Sequence, residues 1–332
     1  KKYLELNNSD YARSRFMSAL FKNKQYAEAV AEFENLKKSN FSTVYLERIA
    51  AYSYEEMGDK TDKEAYQKGL AAMNRFFELA GKDFKLIADD YKYKGLLLYR
   101  TGKDSLGAIE IEKAIAMNPA FKSEIYAKLA KMAVDSKNNE KAILFYEKKR
   151  DGDNKNLNVT DFFDLGKAYY NTAAAKDRAL MKYKEELSAK KKPIDGPDVK
   201  AKETESKELF SKADSSFKQV TKLNPSYLMG YIWRGRVNAS LDPKAERDST
   251  KVQYEKALSL MKPEEKSGTY KNQAIEAYEY LGFYYVTRKD KANADAMFTF
   301  IKDLDPNNEK QKNYFNPPKS TKPAPTGKPT GK

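Results

Sequence analysis

The 332-residue sequence contains no cysteine and no histidine. Without them the chain cannot form a disulfide, a Cys/His zinc site, a cysteine nucleophile or a Ser-His-Asp triad. No apolar run approaches the roughly 20 residues that cross a bilayer. These absences disfavour most hydrolases and metalloenzymes, and we predict no catalytic residue, no cofactor, no metal and no transmembrane segment.

The residues that are present predict a folded chain. Charged residues make up 33% and hydrophobic residues 40%, with 24 Tyr and 17 Phe, a composition too apolar for a disordered protein. The net charge is +14, but residues 311–332 hold five lysines and no acid, which leaves +9 for the remainder. Because that remainder is spread over mixed-sign segments, it argues against nucleic-acid binding.

A repeated pattern connects two distant segments. Leu165-Gly166 and Leu281-Gly282 are each preceded by an aromatic residue and followed by a tyrosine three positions after the glycine. The second copy continues through apolar residues at spacings of three and four, which lie on one helix face, and ends at Pro306. The strongest copy spans 275–308 and is carried by seven residues: Tyr278, Leu281, Gly282, Tyr285, Ala294, Phe298 and Pro306.

This pattern resembles the tetratricopeptide repeat, a helix-turn-helix unit. Weaker copies begin near residues 10, 50, 88, 122, 159 and 229. The resemblance implies an all-α fold, a right-handed superhelical solenoid of about seven helix pairs. In the copy that starts near 159, the second-helix signature arrives about 35 residues late, after a KKPIDGP breaker. We therefore predict a helical insertion at about 172–207 that projects as a long hairpin.

Three domain segments follow from this pattern. Residues 1–9 are expected to be the end of a preceding helix or a linker, and residues 10–310 the solenoid. Residues 311–332 form a proline- and lysine-rich tail, expected to be extended or disordered, with docking on a surface as a further hypothesis. Since the chain begins without an initiator methionine, it is expected to start partway through a longer or processed protein.

Glycines and aromatics of the repeats are interpreted as packing residues. Gly95, Gly166, Gly235 and Gly282 share one repeat position, which in the family faces the second helix at close range. A phosphate-binding loop needs several glycines between a strand and a helix, and that spacing is missing. Trp233, the sole tryptophan, is either a core residue or a partner-binding anchor, and packing is the favoured interpretation.

The candidate binding residues are basic. In the family, the residue after the small packing position points into a concave groove; in three copies it is Lys131, Lys167 and Arg236, and Lys92 extends the row. Such a row would attract an acidic segment, although lysines are common here and a solvated face is the alternative. Across all copies this position is held by Ser18, Tyr52, Leu96, Lys131, Lys167, Arg236 and Phe283. Because no asparagine is among them, the carboxylate clamp of chaperone-adaptor repeats is not predicted.

The sequence thus predicts a non-enzymatic interaction scaffold or adaptor. It would bind a peptide or partner subunit with acidic segments in a partly basic groove, within a multiprotein complex and without a small-molecule substrate. The alternatives are an accessory domain of a larger enzyme and a basic helical-repeat nucleic-acid-binding protein. The lysine- and tyrosine-rich, cysteine-free composition resembles exported repeat proteins of the Bacteroides group. A periplasmic or envelope location is therefore expected, with the cytoplasm as the alternative.

Overall fold

The computed structural model describes residues 9–57, 63–150 and 157–317, and within these ranges all regular secondary structure is α-helical. The helices in this part of the chain are α1 (Asp10–Lys22), α2 (Tyr26–Lys38), α3 (Val44–Met57), α4 (Lys63–Ala80), α5 (Ala88–Arg100), α6 (Asp104–Met117), α7 (Phe121–Asp135), α8 (Asn139–Arg150), α9 (Val159–Ala189), α10 (Pro197–Leu223), α11 (Leu228–Leu241), α12 (Ser249–Leu260), α13 (Pro263–Ser267), α14 (Lys271–Thr287), α15 (Lys291–Leu304) and α16 (Glu309–Phe315).

The chain forms two compact units. Unit 1 comprises residues 1–137 and 144–156, and unit 2 comprises residues 138–143 and 157–332. In unit 1, α1 packs on α2, α3 on α4 and α5 on α6, and α7 follows. Phe33, Leu36 and Phe76 are almost wholly buried in its core. Tight turns separate these helices, and Lys24 and Asn40 occupy them with left-handed backbone angles (φ 59° and 54°).

Unit 2 repeats the same arrangement. Its helix pairs are α9 with α10, α11 with α12 and α14 with α15. The last pair is covered by α16, where the Tyr314 ring stacks on Phe298 at 4.1 Å between centroids and the Tyr314 hydroxyl donates to Asp295 at 2.6 Å. Because α16 runs through Phe315, the expectation of an extended chain from residue 311 is wrong for 311–315. The other terminal expectations, for 1–8 and 318–332, lie outside the described residues.

The four repeat glycines lie against the second helix of their own pair, as predicted. A Cβ added at Gly95 would come within 2.7 Å of Ile111, and one at Gly235 within 2.7 Å of Tyr254. Added Cβ atoms at the remaining two would meet aromatic rings at 2.8 Å, Gly166 against Phe217 and Gly282 against Phe298. A missing side chain therefore permits the close approach of the two helices.

The predicted long hairpin is present in unit 2. Helix α9 has 31 residues and α10 has 27, and their extended halves pack on each other through buried Leu180 and Val199. Ion pairs join the two helices, including Lys176 Nζ with Glu205 Oε1 at 2.9 Å and Lys184 with Glu203. Within the described ranges, no helix is both long and apolar enough to cross a membrane.

Candidate functional site

Three of the predicted groove residues lie on the first helix of a pair, and Lys131 lies on α7. Lys92 is on α5 and Lys131 on α7, in unit 1; Lys167 is on α9 and Arg236 on α11, in unit 2. Their surroundings differ sharply. Their role in binding a partner stays a prediction, and the following contacts determine how each side chain is available for one.

Lys92 is held by its own unit. Its side chain is only 7% exposed, and Nζ lies 2.7 Å from Asp89 and 3.4 Å from Glu124. The amine also stands over the Phe121 ring at 4.4 Å from the centroid. Because the charge is buried and compensated, Lys92 contributes little free charge to a groove.

Arg236 is likewise compensated, through a bidentate pair. Its Nε and NH2 groups donate to the two carboxylate oxygens of Glu276 at 2.8 and 2.7 Å, and these hydrogen bonds raise the pKa of Arg236 above its usual range. The Tyr254 hydroxyl donates to the same carboxylate at 2.9 Å; burial first, and then the Glu276 charge, raise the pKa of Tyr254. Glu276 lies 40 residues from Arg236, and no spacing in the sequence indicates this pairing.

Lys131 and Lys167 keep uncompensated charge. Within the described residues, no carboxylate oxygen lies within 4 Å of either amine. Lys131 is exposed and Lys167 is half-buried. The Lys167 amine lies 5.7 Å from the centroid of the Phe163 ring on its own helix, so its stem runs along aromatic surface while its charge stays available.

Trp233 belongs to an aromatic cluster, in agreement with the packing interpretation. Its indole stacks on Phe217 at 5.6 Å and meets the Tyr170 ring edge-on at 5.2 Å. The Arg236 guanidinium stands over the indole at 4.6 Å. The cluster joins three helices: α9, which carries Lys167, α10, and α11, which carries Arg236.

Exposed apolar side chains complete this surface on α14. Phe283 occupies the position directly after the packing glycine, as Lys167 and Arg236 do, and 44% of it is exposed. Val286, one turn on, is 45% exposed. We call the surface formed by these first-helix residues the unit-2 face: Phe163, Lys167, Trp233, Arg236, Phe283 and Val286. It offers one free cation, a neutralised arginine and an apolar patch.

The first helices of unit 1 instead carry a network that the sequence did not reveal. Arg48 on α3 donates from Nε and NH2 to Asp90 on α5, both at 2.6 Å, and the Tyr52 hydroxyl donates to Asp90 at 2.6 Å. Tyr52 and Tyr93 stack at 4.0 Å. Farther along, Lys128 of α7 binds two adjacent glutamates of α3.

Acidic side chains are the candidate metal ligands in both units. In the described part of the chain, no group of three or more acidic side chains is placed to hold a metal ion. The carboxylates with the clearest contacts, Asp90 and Glu276, are engaged by arginines and tyrosines.

Helix pairs closed by a glycine on the first helix and a large side chain on the second are the packing that tetratricopeptide repeats are expected to show. The resemblance seen in the sequence is confirmed, and the chain has the all-α tetratricopeptide-repeat fold. The C-terminal part of a TPR repeat-containing protein from Cytophaga hutchinsonii is 28% identical to this chain. That match covers 90% of this chain and 97% of the other, with a TM-score of 0.61.

Two further solved structures match at lower identity and lower TM-score. YrrB, described as a TPR protein with an unusual peptide-binding site, is 14% identical over 78% of this chain and 91% of its own, with a TM-score of 0.28. PilF of Pseudomonas aeruginosa is 10% identical over 81% of this chain and 98% of its own, with a TM-score of 0.34. No family model matches the chain, and no curated protein matches it.

Proposed function

We propose that the chain is a non-enzymatic protein-interaction scaffold and that the unit-2 face binds an acidic segment of a partner subunit. The observation that carries this proposal is the free charge of Lys167 on a face that also exposes Phe283 and Val286. A segment with a carboxylate and an apolar side chain would complement both features. Helical repeats commonly bind along such surfaces.

Lys167 and Arg236 have different roles in this proposal. Lys167 would supply the direct charge contact, because no carboxylate of the described residues neutralises it. Arg236 already binds Glu276 and stands over Trp233, so it would shape the face rather than attract the ligand. A charge reversal at Arg236 would place two acids together and damage the face itself, which makes Lys167 the better test.

The test begins with affinity purification and mass spectrometry to identify the partner, followed by binding measurements on the isolated complex. Lys167→Glu should weaken binding about tenfold or more and flatten its dependence on salt, since a charge contact across an interface is screened by ions. Phe283→Ala should weaken binding by a similar factor without changing the salt dependence, because it removes only apolar contact.

The matched control is Lys302→Glu. Lys302 lies on the second helix α15, is exposed, and has no carboxylate within 4 Å among the described residues. It changes the net charge as Lys167→Glu does, but not on the proposed surface. If Lys167→Glu and Lys302→Glu weaken the complex equally, the charge effect is global and the unit-2 face is not the binding site.

The location in the bacterial envelope also remains a proposal. It is supported by the cysteine-free composition, which suits an oxidising compartment. Cell fractionation with antibody detection of the native chain would test it: recovery with periplasmic or envelope markers supports export, and recovery with cytoplasmic markers contradicts it.

A further inference from the structure

A lysine on α7 reaches across α5 to bind two glutamates on α3. Lys128 Nζ lies 2.9 Å from Glu55 Oε2 and 2.8 Å from Glu56 Oε1, although 73 and 72 residues separate them in sequence. Helices α3 and α5 are the first helices of successive pairs in unit 1, and α7 follows the second of these pairs. The contact therefore skips the pair in between.

Each of the two carboxylates also has a neighbour other than Lys128, a hydrogen-bond donor for Glu56 and a cation for Glu55. The Tyr93 hydroxyl donates to Glu56 Oε1 at 2.9 Å, and the Arg100 NH2 group lies 3.6 Å from Glu55 Oε1. The Lys128 amine stands 6.0 Å from the centroid of the Tyr93 ring. Two oriented carboxylates beside an aromatic ring form a built site for an ammonium group.

The site is layered, and the lysine forms its outer layer. The Glu55 side chain is fully buried, whereas 31% of the Lys128 side chain is exposed. Glu55 Oε1 is buried without a hydrogen-bond donor, so the carboxylate retains unused acceptor capacity. A flexible four-carbon stem carries the amine, so the amine can swing away from the carboxylates without moving a helix.

We propose that Glu55, Glu56 and Tyr93 form a binding site for a lysine or arginine side chain of a partner segment, and that Lys128 occupies it in cis as an intramolecular competitor. The site lies in unit 1 and selects a cation, so it is separate from the unit-2 face and opposite to it in charge preference. A partner would exchange its own cation for Lys128, which leaves both the buried Glu55 and the partly exposed Glu56 compensated after the exchange. Competition of this kind lowers the apparent affinity of the resting protein.

The experiment measures fluorescence anisotropy of a labelled peptide with the sequence of residues 318–332, which contains four lysines and no acid. Lys128→Ala should bind this peptide at least about tenfold more tightly than the wild-type chain, equivalent to about 1.4 kcal/mol. Adding Glu55→Gln and Glu56→Gln to that variant should abolish the gain. Lys128→Met retains the apolar stem and serves if the alanine variant does not fold.

Lys103→Ala is the control for overall charge. Lys103 lies in unit 1, just before α6, is exposed, and has no carboxylate within 4 Å in the described part. It removes one positive charge without touching the site, so it should leave the affinity for the peptide unchanged. The proposal is overturned if folded Lys128→Ala or Lys128→Met binds the peptide no more tightly than Lys103→Ala does.

A second readout uses the smallest suitable probe. Methylammonium should raise the melting temperature of Lys128→Ala in a concentration-dependent way, while tetramethylammonium, which has no N–H donor, should not. Equal effects of the two ions would show that no ammonium site exists. The unit-2 face plays no part in either measurement. The proposed function can therefore fail while this inference holds, and this inference can fail while the proposed function holds.

Discussion

Glu55 and Glu56 are neighbours on α3, yet their surroundings act on them in opposite directions. Burial raises the pKa of Glu55 above its ordinary value despite the nearby Lys128 charge. Burial also acts to raise the pKa of Glu56, but the hydrogen bond and charge of Lys128 outweigh it and hold that pKa below its ordinary value. One turn of helix thus contains a carboxylate that resists ionisation and one that favours it.

This contrast predicts opposite pH dependences for two isosteric variants. Because the folded-state pKa of Glu55 is raised, its ionisation destabilises the folded protein as the pH rises from the unfolded pKa through the folded pKa. Glu55→Gln should therefore gain stability relative to wild type as the pH rises. A lowered folded-state pKa means that ionised Glu56 stabilises the fold above its unfolded pKa and that this stability is lost as the pH falls through the folded pKa. Glu56→Gln should therefore lose stability relative to wild type as the pH rises from the acid end of the range to about 4.3, whereas the change for Glu55→Gln falls above that value. Urea unfolding between pH 3.5 and 7, which spans the ordinary pKa of a glutamate at about 4.3, measures both. Slopes of the same sign would contradict the assigned environments.

Residue-scale features differ in how far the sequence reveals them. The packing glycines were predictable, because a repeat position is defined by local spacing and Gly166 and Gly282 share it. The partners of the charged residues were not. Lys128 meets Glu55 across 73 residues, and Arg236 meets Glu276 across 40; such pairs depend on side-chain reach between helices, which periodicity does not encode.

At the scale of elements, the hairpin of α9 and α10 stands out because its outer half has so small a core. Leu180 and Val199 are buried there, but Met181 and Ile194 are 58% and 49% exposed. Ion pairs such as Lys176 with Glu205 are partly exposed and contribute little each. The hairpin was visible in the sequence because the breaker and the delayed second-helix signature both mark it, whereas its weak packing emerges only from the structure.

Val199→Ala should therefore open the outer hairpin selectively. The lost burial costs about 2 kcal/mol, a large share of the stability available to so small a core. Hydrogen exchange should accelerate in residues 176–205 and stay unchanged in α14 and α15. Ile194→Ala, at an exposed position, is the matched control and should leave the exchange pattern unaltered; acceleration throughout unit 2 would show that the hairpin is not a separate cooperative element.

At the scale of the whole molecule, stability in a repeat protein is roughly a sum over neighbouring pairs. The two compact units contain separate apolar clusters, one including Leu36 and Phe76 and the other including Ile232 and Ile301. The only tryptophan in the sequence, Trp233, lies in unit 2. Its fluorescence therefore reports the unfolding of that unit.

Leu36→Ala tests whether stability is local. Leu36 is 1% exposed in the core of unit 1, so the substitution should cost about 2–5 kcal/mol there. The midpoint of urea unfolding followed by far-ultraviolet circular dichroism should fall and broaden, while the midpoint followed by Trp233 fluorescence should not move. Ile301→Ala in unit 2 is the reciprocal control and should shift the fluorescence midpoint; equal shifts in both probes for Leu36→Ala would mean that the chain unfolds as one cooperative body.

The overall architecture was the most predictable level. Seven agreements with one template at fixed spacing, from Tyr278 to Pro306, indicated the fold before any contact was known. The end of the last repeat was less predictable. Residues 311–315 belong to α16, although their proline- and lysine-rich surroundings assign them to a tail. Tyr314 and the buried Gln311 give this short helix its packing surface. Composition describes a segment as a whole, so it does not detect that one contact, such as the Tyr314 ring stacked on Phe298, holds part of that segment in a helix.

The base of the hairpin has a consequence for engineering. Where the insertion leaves the repeat, the Ser206 hydroxyl donates to the Ala173 carbonyl at 3.3 Å, so the two ends of residues 174–205 meet side by side. The scaffold therefore contains a natural graft point: the inserted arm can be trimmed to a short turn, or exchanged for a foreign helical hairpin, while the glycine and Phe217 that close the parent repeat keep their places.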